Sequence, residues 1–431
     1  MKRILPAILC LTIFWELCGA QDPQKTAGPY YVYDSSALPA LTPAPRGYKP
    51  FYISHFARHG ARCCTSEYDT MHDWLAKAAA QNVLTEEGKA FAARYNDFYK
   101  KVQYRNGNLT KVGQNQHRMI AERMYRRFPA VFKGQTHVEA VSTESPRVIM
   151  SMWSCLSRLQ ALDKSMDVNA ESSARFASWL QPSLKSNPYY IKGIFSRGPE
   201  ADRQYKDYFK ATVPCEAITT RYLTTADACK DVLGATQIDF ISIIYAVAIS
   251  TRCLDEDQGC FDDLLSQDEL NKIWRARSAR TFMETAYYEG SGNKTPDYAA
   301  FTINQIIESA DADIAAGDTR LRLRFGHNSG VLALLAFMNV NGFGRTATTP
   351  EEAVAIMPNY EVPMASSVQL VFYRKPGKDI LFKVLLNERE ASLPSIAPVE
   401  GPYYRWEDFK AYYLPRARAT VGEIQSIVNS K

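Results

Sequence analysis

Strand-like segments sit at both ends of this chain, and a long stretch of helical spacing lies between them. Tyr48–Ala57, Val138–Ser142 and Leu321–Phe325 are short, mostly apolar runs of the kind a sheet buries on both faces. Val368–Tyr373 and Ile380–Leu386 are two more, joined by Lys375-Pro376-Gly377-Lys378, a hairpin-type connection. Helical spacing follows the early strands at 84–102, 109–128 and 145–162, with Thr85 and Thr110 placed to start the first two helices. The middle is dominated by helical patterns at 237–250, 267–288 and 298–316, while 21–47 reads as an extended lead-in. This arrangement predicts an α/β fold: a three-layer sandwich domain from residues 21–162 and 316–431, interrupted by a mostly α-helical cap at 163–315.

The 431 residues suffice for a large core, and their 46% apolar and 23% charged content is that of a globular protein. The first twenty residues differ. Lys2 and Arg3, an apolar run from Ile4 to Trp15, and the small-residue ending Cys18-Gly19-Ala20 predict a secretory signal cleaved after Ala20. Export to the periplasm or beyond is the expectation. The apolar run is too short for a membrane anchor and Glu16 interrupts it, so no stable membrane insertion is expected. The formal charge of +5 is mild, and no basic run suits a nucleic acid. An anionic ligand must therefore be held by locally clustered arginines.

Seven cysteines follow the signal: Cys63, Cys64, Cys155, Cys215, Cys229, Cys253 and Cys260. For an exported chain, Cys253/Cys260 and Cys215/Cys229 are the expected disulfides, each closing a short loop and leaving at least one free thiol. No CxxC pair or HxxxH spacing points to a metal site.

Three segments offer phosphate chemistry where a strand ends. Arg58-His59-Gly60-Ala61-Arg62 places an imidazole between two guanidiniums. Ser142-Thr143-Glu144-Ser145-Pro146-Arg147 puts Arg147 in the turn into a helix, and Phe325-Gly326-His327-Asn328 is another strand-to-helix junction. Ligands of open α/β sheets gather beyond the carboxyl ends of strands, so the three segments are expected to meet there. Arginine forks match phosphate oxygens and stay charged. Their field disfavours imidazolium and keeps His59 neutral and nucleophilic. Attack on phosphorus would form a phosphohistidine, while His327 donates hydrogen bonds to the phosphoryl oxygens as charge develops. Of the other histidines, His55 reads as strand-buried; His72, His117 and His137 have no obvious partner.

In these motifs, and in the LTEEG and LTKVG helix starts at 84–88 and 109–113, the chain resembles the histidine acid phosphatases, branch 2 of the histidine phosphatase superfamily. The Tyr-rich lead-in, the 41–62 segment and the late PMASSVQLVFYR…NERE segment resemble the bacterial multiple inositol-polyphosphate phosphatases and phytase-like proteins. The resemblance implies an α/β domain with a helical cap, and catalysis on a small phosphomonoester without metal or organic cofactor. It implies that His59 is the phosphorylated nucleophile and that Arg58, Arg62, Arg147 and His327 bind the transferred group.

Two departures stand out. Cys64 occupies a position where the family usually has proline, which is expected to alter the loop only modestly. After the second histidine the family carries an aspartate, or His-Ala-Glu in the inositol-polyphosphate branch. Here Asn328-Ser329 offers no carboxyl group to protonate the leaving alcohol. General acid catalysis typically supplies ~10²–10⁴ in rate. Three readings stay open: a phosphatase using another acid, with Glu144 or a water as candidate, an attenuated member that binds phosphate esters, or a carboxyl-to-amide substitution made to trap a ligand. Lys185, Lys192 and Arg197 are candidate secondary contacts.

Overall fold

β1 (Lys49–Arg58) is the strand on which the sheet reverses direction. On one side it runs parallel to β4 (Thr319–Gly326), and on the other antiparallel to β5 (Ser367–Arg374). The full order is β3-β2-β4-β1-β5-β6-β7, with β2 at His137–Ser142, β3 at Asp167–Ser172, β6 at Leu381–Leu386 and β7 at Arg389–Ala391. β8 (Tyr404–Arg405) pairs with β6. The structure, a computed structural model, describes residues 22–430 apart from 33–34, 36–37, 182–186, 190–196 and 293. The expected signal at 1–20, and Lys185 and Lys192, lie outside the described residues.

Successive residues of a strand face opposite sides of the sheet. Tyr52 and Phe56 of β1 accordingly join one apolar cluster, and Ile53 and Ala57 another. The second cluster is closed by helices α3 (Lys111–Arg127) and α4 (Pro146–Leu162), through Met124, Met152, Cys155 and Leu159. The chain between β1 and α3 forms α1 (Glu67–Ala80) and α2 (Glu86–Val102). Thr85 and Thr110 cap α2 and α3 through bonds to the Gly88 and Gly113 amides, as expected from their positions.

Beyond β3, a short α5 (Ala177–Leu180) precedes α6 (Gly198–Thr212), α7 (Cys215–Tyr222), α8 (Ala228–Asp231), α9 (Gln237–Thr251) and α10 (Gln267–Thr285). α11 (Ala299–Ala316), α12 (Asn328–Phe337) and α14 (Trp406–Asn429), which follows α13 (Pro350–Ile356), cover the sheet's first face. The α/β architecture expected from the sequence is the one observed. Among the described residues no helix is long and apolar enough to cross a membrane.

Strands β3, β7 and β8 were not expected. β3 (DVNAES) falls in a stretch read as helical; it is a polar edge strand, with no apolar run to announce it. The lead-in also differs from its expectation, because Pro23–Tyr30 forms a 3₁₀ segment whose Ala27 and Tyr30 are buried.

The backbone of α3 lies directly on the loop that follows β1. A β-carbon at Gly113 would sit 2.3 Å from the Ala61 oxygen, and one at Gly60 would sit 2.4 Å from the Gly113 oxygen. Neither position accepts a side chain without moving backbone. Gly113→Ala is expected to cost about 3 kcal/mol, the upper range for overpacking, read as a lower denaturant midpoint at unchanged slope.

Candidate active site

Register brings the three expected segments together. Arg58 pairs with Gly326 across β1 and β4, and Ser142 with Phe325 across β2 and β4. His59, Thr143 and His327 therefore leave the sheet side by side, at the carboxyl ends of three parallel strands. Helices α4 and α12 begin at the same place, so their unsatisfied N–H groups and dipoles favour an anion between them. A cavity of about 220 Å³ opens there, lined by Thr143, Glu144, Arg147, Ser173, Gln181 and His327.

The arginines are held from behind. Arg58 is 2% exposed, and its Nη1 donates to the carbonyls of Pro29 (2.6 Å) and Val362 (2.9 Å). Arg62 Nη1 donates to Tyr30 Oη (3.0 Å) and to the Cys63 carbonyl (2.7 Å), with its guanidinium 5.3 Å from the Tyr30 ring. The Nε atoms of Arg58, Arg62 and Arg147 are all buried without a hydrogen-bond partner. Among the described residues none of the three forms an ion pair with a carboxylate. A buried, unsatisfied donor costs about 1–3 kcal/mol, so the cluster is arranged for an acceptor the chain does not supply. Burial and then mutual repulsion with Arg62 push the Arg58 guanidinium down to about 9 and Arg147 to about 10.

Hydrogen-bond partners assign both imidazole tautomers. His59 Nδ1 lies 2.9 Å from the Gly60 carbonyl, which can only accept; Nδ1 therefore carries the proton and Nε2 the lone pair. His327 is the reverse: Arg147 Nη2 donates to Nδ1 (3.5 Å), and Nε2–H donates to Thr143 Oγ1 (3.2 Å). The two rings meet edge to face, 5.7 Å between centroids. Burial, then Arg58 and Arg62, hold the His59 imidazole well below its usual range. Burial and Arg147 push His327 to about 3. The arginine field was expected to keep His59 neutral, and burial is the larger cause.

Asn328 is the first residue of α12, half-buried beside His327, and Glu144 is exposed at the cavity wall. Cys64 is buried, with its Sγ 3.7 Å from Tyr30 Oη. Arg197 is not a free cation, since Asp202 and Glu284 both pair with it.

All seven cysteines among the described residues are free, so the expected Cys253/Cys260 and Cys215/Cys229 disulfides are not formed. Cys253 is buried and turns its thiol inward to the Tyr30 carbonyl (3.3 Å), while Cys260 is half-buried. Cys215 and Cys229 stand on separate helices, one half-buried and the other in the core.

Three histidines thought to lack partners have surroundings of their own. His72 stacks on Tyr99, and His137 bridges Asp167 (2.7 Å) and Glu139 (2.9 Å). His117 is fully buried against Phe325, which also meets the strand-buried His55. Burial pushes His55 to about 3 and His117 to about 4. Because the folded chain takes these protons less readily than the unfolded one, stability is full above pH ~6.5 and is lost as pH falls toward those values. His117→Leu is expected to flatten the fall of urea-unfolding stability between pH 6.5 and 4, by up to about 1.4 kcal/mol per pH unit. An unchanged slope would show that His117 carries none of it.

Sequence reasoning missed Pro29, Tyr30, Gln116, Ser151 and Val362, which orient the recognised residues without belonging to their motifs. Tyr30-Tyr31 within the lead-in was the available signal.

Comparison with known proteins identifies the family and the fold. A family model described as "Histidine phosphatase superfamily (branch 2)" matches residues 55–387, taking in all three junctions. Phytase A of Aspergillus awamori is 23% identical over 390 residues, covering 82% of this chain and 80% of that protein. The multiple inositol polyphosphate phosphatase of Bifidobacterium longum, solved with inositol hexasulfate, has a TM-score of 0.74 at 19% identity, covering 91% of this chain and 97% of that one. The phytase of D. castellii has a TM-score of 0.67 at 14% identity, covering 91% and 85%. With a match that spans β1 to β6 and the junctions after β1, β2 and β4, this chain belongs to branch 2 of the histidine phosphatase superfamily.

Proposed function

We propose that the chain is a phosphomonoester hydrolase that works through a phosphohistidine on His59, with inositol polyphosphates as its favoured substrate class. The observation that carries this reading is the set of three buried guanidinium Nε–H groups, unsatisfied by protein, around a neutral imidazole. A phosphoryl group supplies the missing acceptors and the electrophile together. The substrate class rests on the relatives, which are phytases and an inositol polyphosphate phosphatase. The leader-like residues 1–20 support export.

In the first step the Nε2 lone pair of His59 attacks phosphorus and the P–O bond to the alcohol breaks. The departing oxygen keeps the bonding pair and takes a proton. Arg58, Arg62, Arg147 and His327, whose Nε2–H turns from Thr143 Oγ1 to the phosphoryl group, stabilise the equatorial oxygens. In the second step water attacks the phosphohistidine, the P–N bond returns its pair to His59, and water's proton goes to the group that gave one before. The net reaction is ester plus water to alcohol plus inorganic phosphate.

Glu144 is our choice for that proton carrier. Among the residues that line the cavity it is the one carboxyl group, and Asn328 has no proton to transfer. The alternative reading, a binder of phosphate esters with little turnover, is favoured by Asn328-Ser329 alone. The deciding assay measures inorganic phosphate released by the purified chain from inositol hexakisphosphate and from an aryl phosphate. Phosphate from either supports the hydrolase; tight binding of both with no phosphate released supports the binder.

A further inference from the structure

We infer that Gln116 is a positioning residue for the nucleophile, acting through the Gly60–Ala61 peptide; this rests on His59 being the attacking group. The carbonyl of that peptide accepts from His59 Nδ1 (2.9 Å), and its N–H donates to Gln116 Oε1 (2.8 Å). One planar peptide thus has the imidazole on one edge and the glutamine on the other. Gln116 is 6% exposed, one turn into α3, and the close approach of Gly113 to Ala61 brings it within reach. Its Nε2 reaches the Met364 carbonyl at 3.5 Å, tying the loop to the segment before β5.

The preceding peptide is pinned separately. The His59 carbonyl accepts from the Ala365 amide (3.0 Å), and the Gly60 amide donates to Ser151 Oγ (3.1 Å). Ser151 in turn donates to the Arg147 carbonyl (2.7 Å). These bonds fix where His59 sits. Gln116 fixes which nitrogen carries the proton.

The physical reason is the asymmetry of a peptide. While the carbonyl faces Nδ1, the proton stays on Nδ1 and Nε2 keeps its lone pair. Glycine at 60 tolerates the ψ change that a rotated peptide needs, so against the tight contact with Gly113 it is the Gln116 Oε1 bond to the N–H that selects the orientation seen. A rotated peptide presents N–H to Nδ1, moves the proton to Nε2 and removes the nucleophile.

The test combines kinetics with long-range ¹H–¹⁵N correlation of histidine-labelled protein, which reads the His59 tautomer without any turnover. Wild type should show Nδ1–H. Gln116→Met, of similar size but without the acceptor, should shift His59 toward Nε2–H and lower kcat at least about tenfold on aryl and alkyl phosphates alike, with KM within about threefold. Gln116→Glu keeps an oxygen for the Ala61 N–H and should keep the wild-type tautomer and kcat within about fivefold. A folded Gln116→Met with the wild-type tautomer and kcat overturns the inference. If the methionine variant does not fold, the glutamate variant decides: loss of Nδ1–H there is equally fatal. Absence of phosphate release in wild type, with the tautomers behaving as described, defeats the hydrolase reading and leaves the role of Gln116 standing.

Discussion

His59→Ala should abolish phosphate release from inositol hexakisphosphate and from an aryl phosphate alike, by a factor on the order of 10⁴ or more in kcat. No neighbouring group can substitute. His327 keeps its proton on Nε2 and turns Nδ1 to Arg147, so it has no lone pair facing the cavity. Water lacks a base at the required position, since Glu144 lies at the leaving-group side of the cavity in the mechanism proposed above. Binding should survive, because Arg58 and Arg62 are held by Pro29, Val362 and Tyr30 and not by His59. Calorimetry with inorganic phosphate should therefore give affinities within a few-fold of each other for variant and wild type, while turnover vanishes. Persistent turnover in the variant would rule out a phosphohistidine on His59.

The second large effect concerns the leaving group. An inositol alkoxide is a poor leaving group and needs its proton in the transition state; a phenolate with electron-withdrawing substituents does not. Asn328→Asp places a carboxyl group beside His327 and is expected to raise kcat on inositol phosphates by ~10²-fold, with less than about threefold change on the aryl ester. Glu144→Gln in the native background should show the converse, a fall of ~10² on the inositol ester and little on the aryl one. In the double variant the Glu144 effect should shrink, since the introduced aspartate then does the same work. The readout is the ratio of kcat values for the two substrates. Changes of equal size on both would mean that neither residue handles the leaving group's proton.

The core of the site was legible in the sequence because each of its segments carries a change of periodicity, apolar strand to helix, with a charged or imidazole residue at the switch. Arg58, His59, Arg147 and His327 all stand at such switches, and the sheet register brings three of them to one end. What was not legible depends on long-range contact. Pro29 contributes only a carbonyl, which every residue has, and Gln116 is one polar residue on a helix rich in them. The edge strand β3 alternates only Val168 and Ala170 with polar residues, too short a pattern to stand out from its helical neighbours. Cysteine spacing suggested loops that two disulfides would close, yet spacing says nothing about which way a thiol turns.

The two bonds on Arg58 Nη1 join residue 58 to carbonyls 29 positions before it and 304 after it. Tyr245, from the middle of the chain, donates to the carbonyl of Thr26 in the same lead-in. The surroundings of the pocket thus draw on early, middle and late parts of the polypeptide, and each such contact closes a long loop at an entropic cost. A nascent chain that has emerged only to residue 360 has every arginine of the site and both its histidines, but neither the carbonyl of Val362 nor β5 beside β1. A chain ending before Val362 is therefore expected to leave Arg58 without one of its two carbonyl partners and β1 without its antiparallel neighbour, and to lack the proposed hydrolysis.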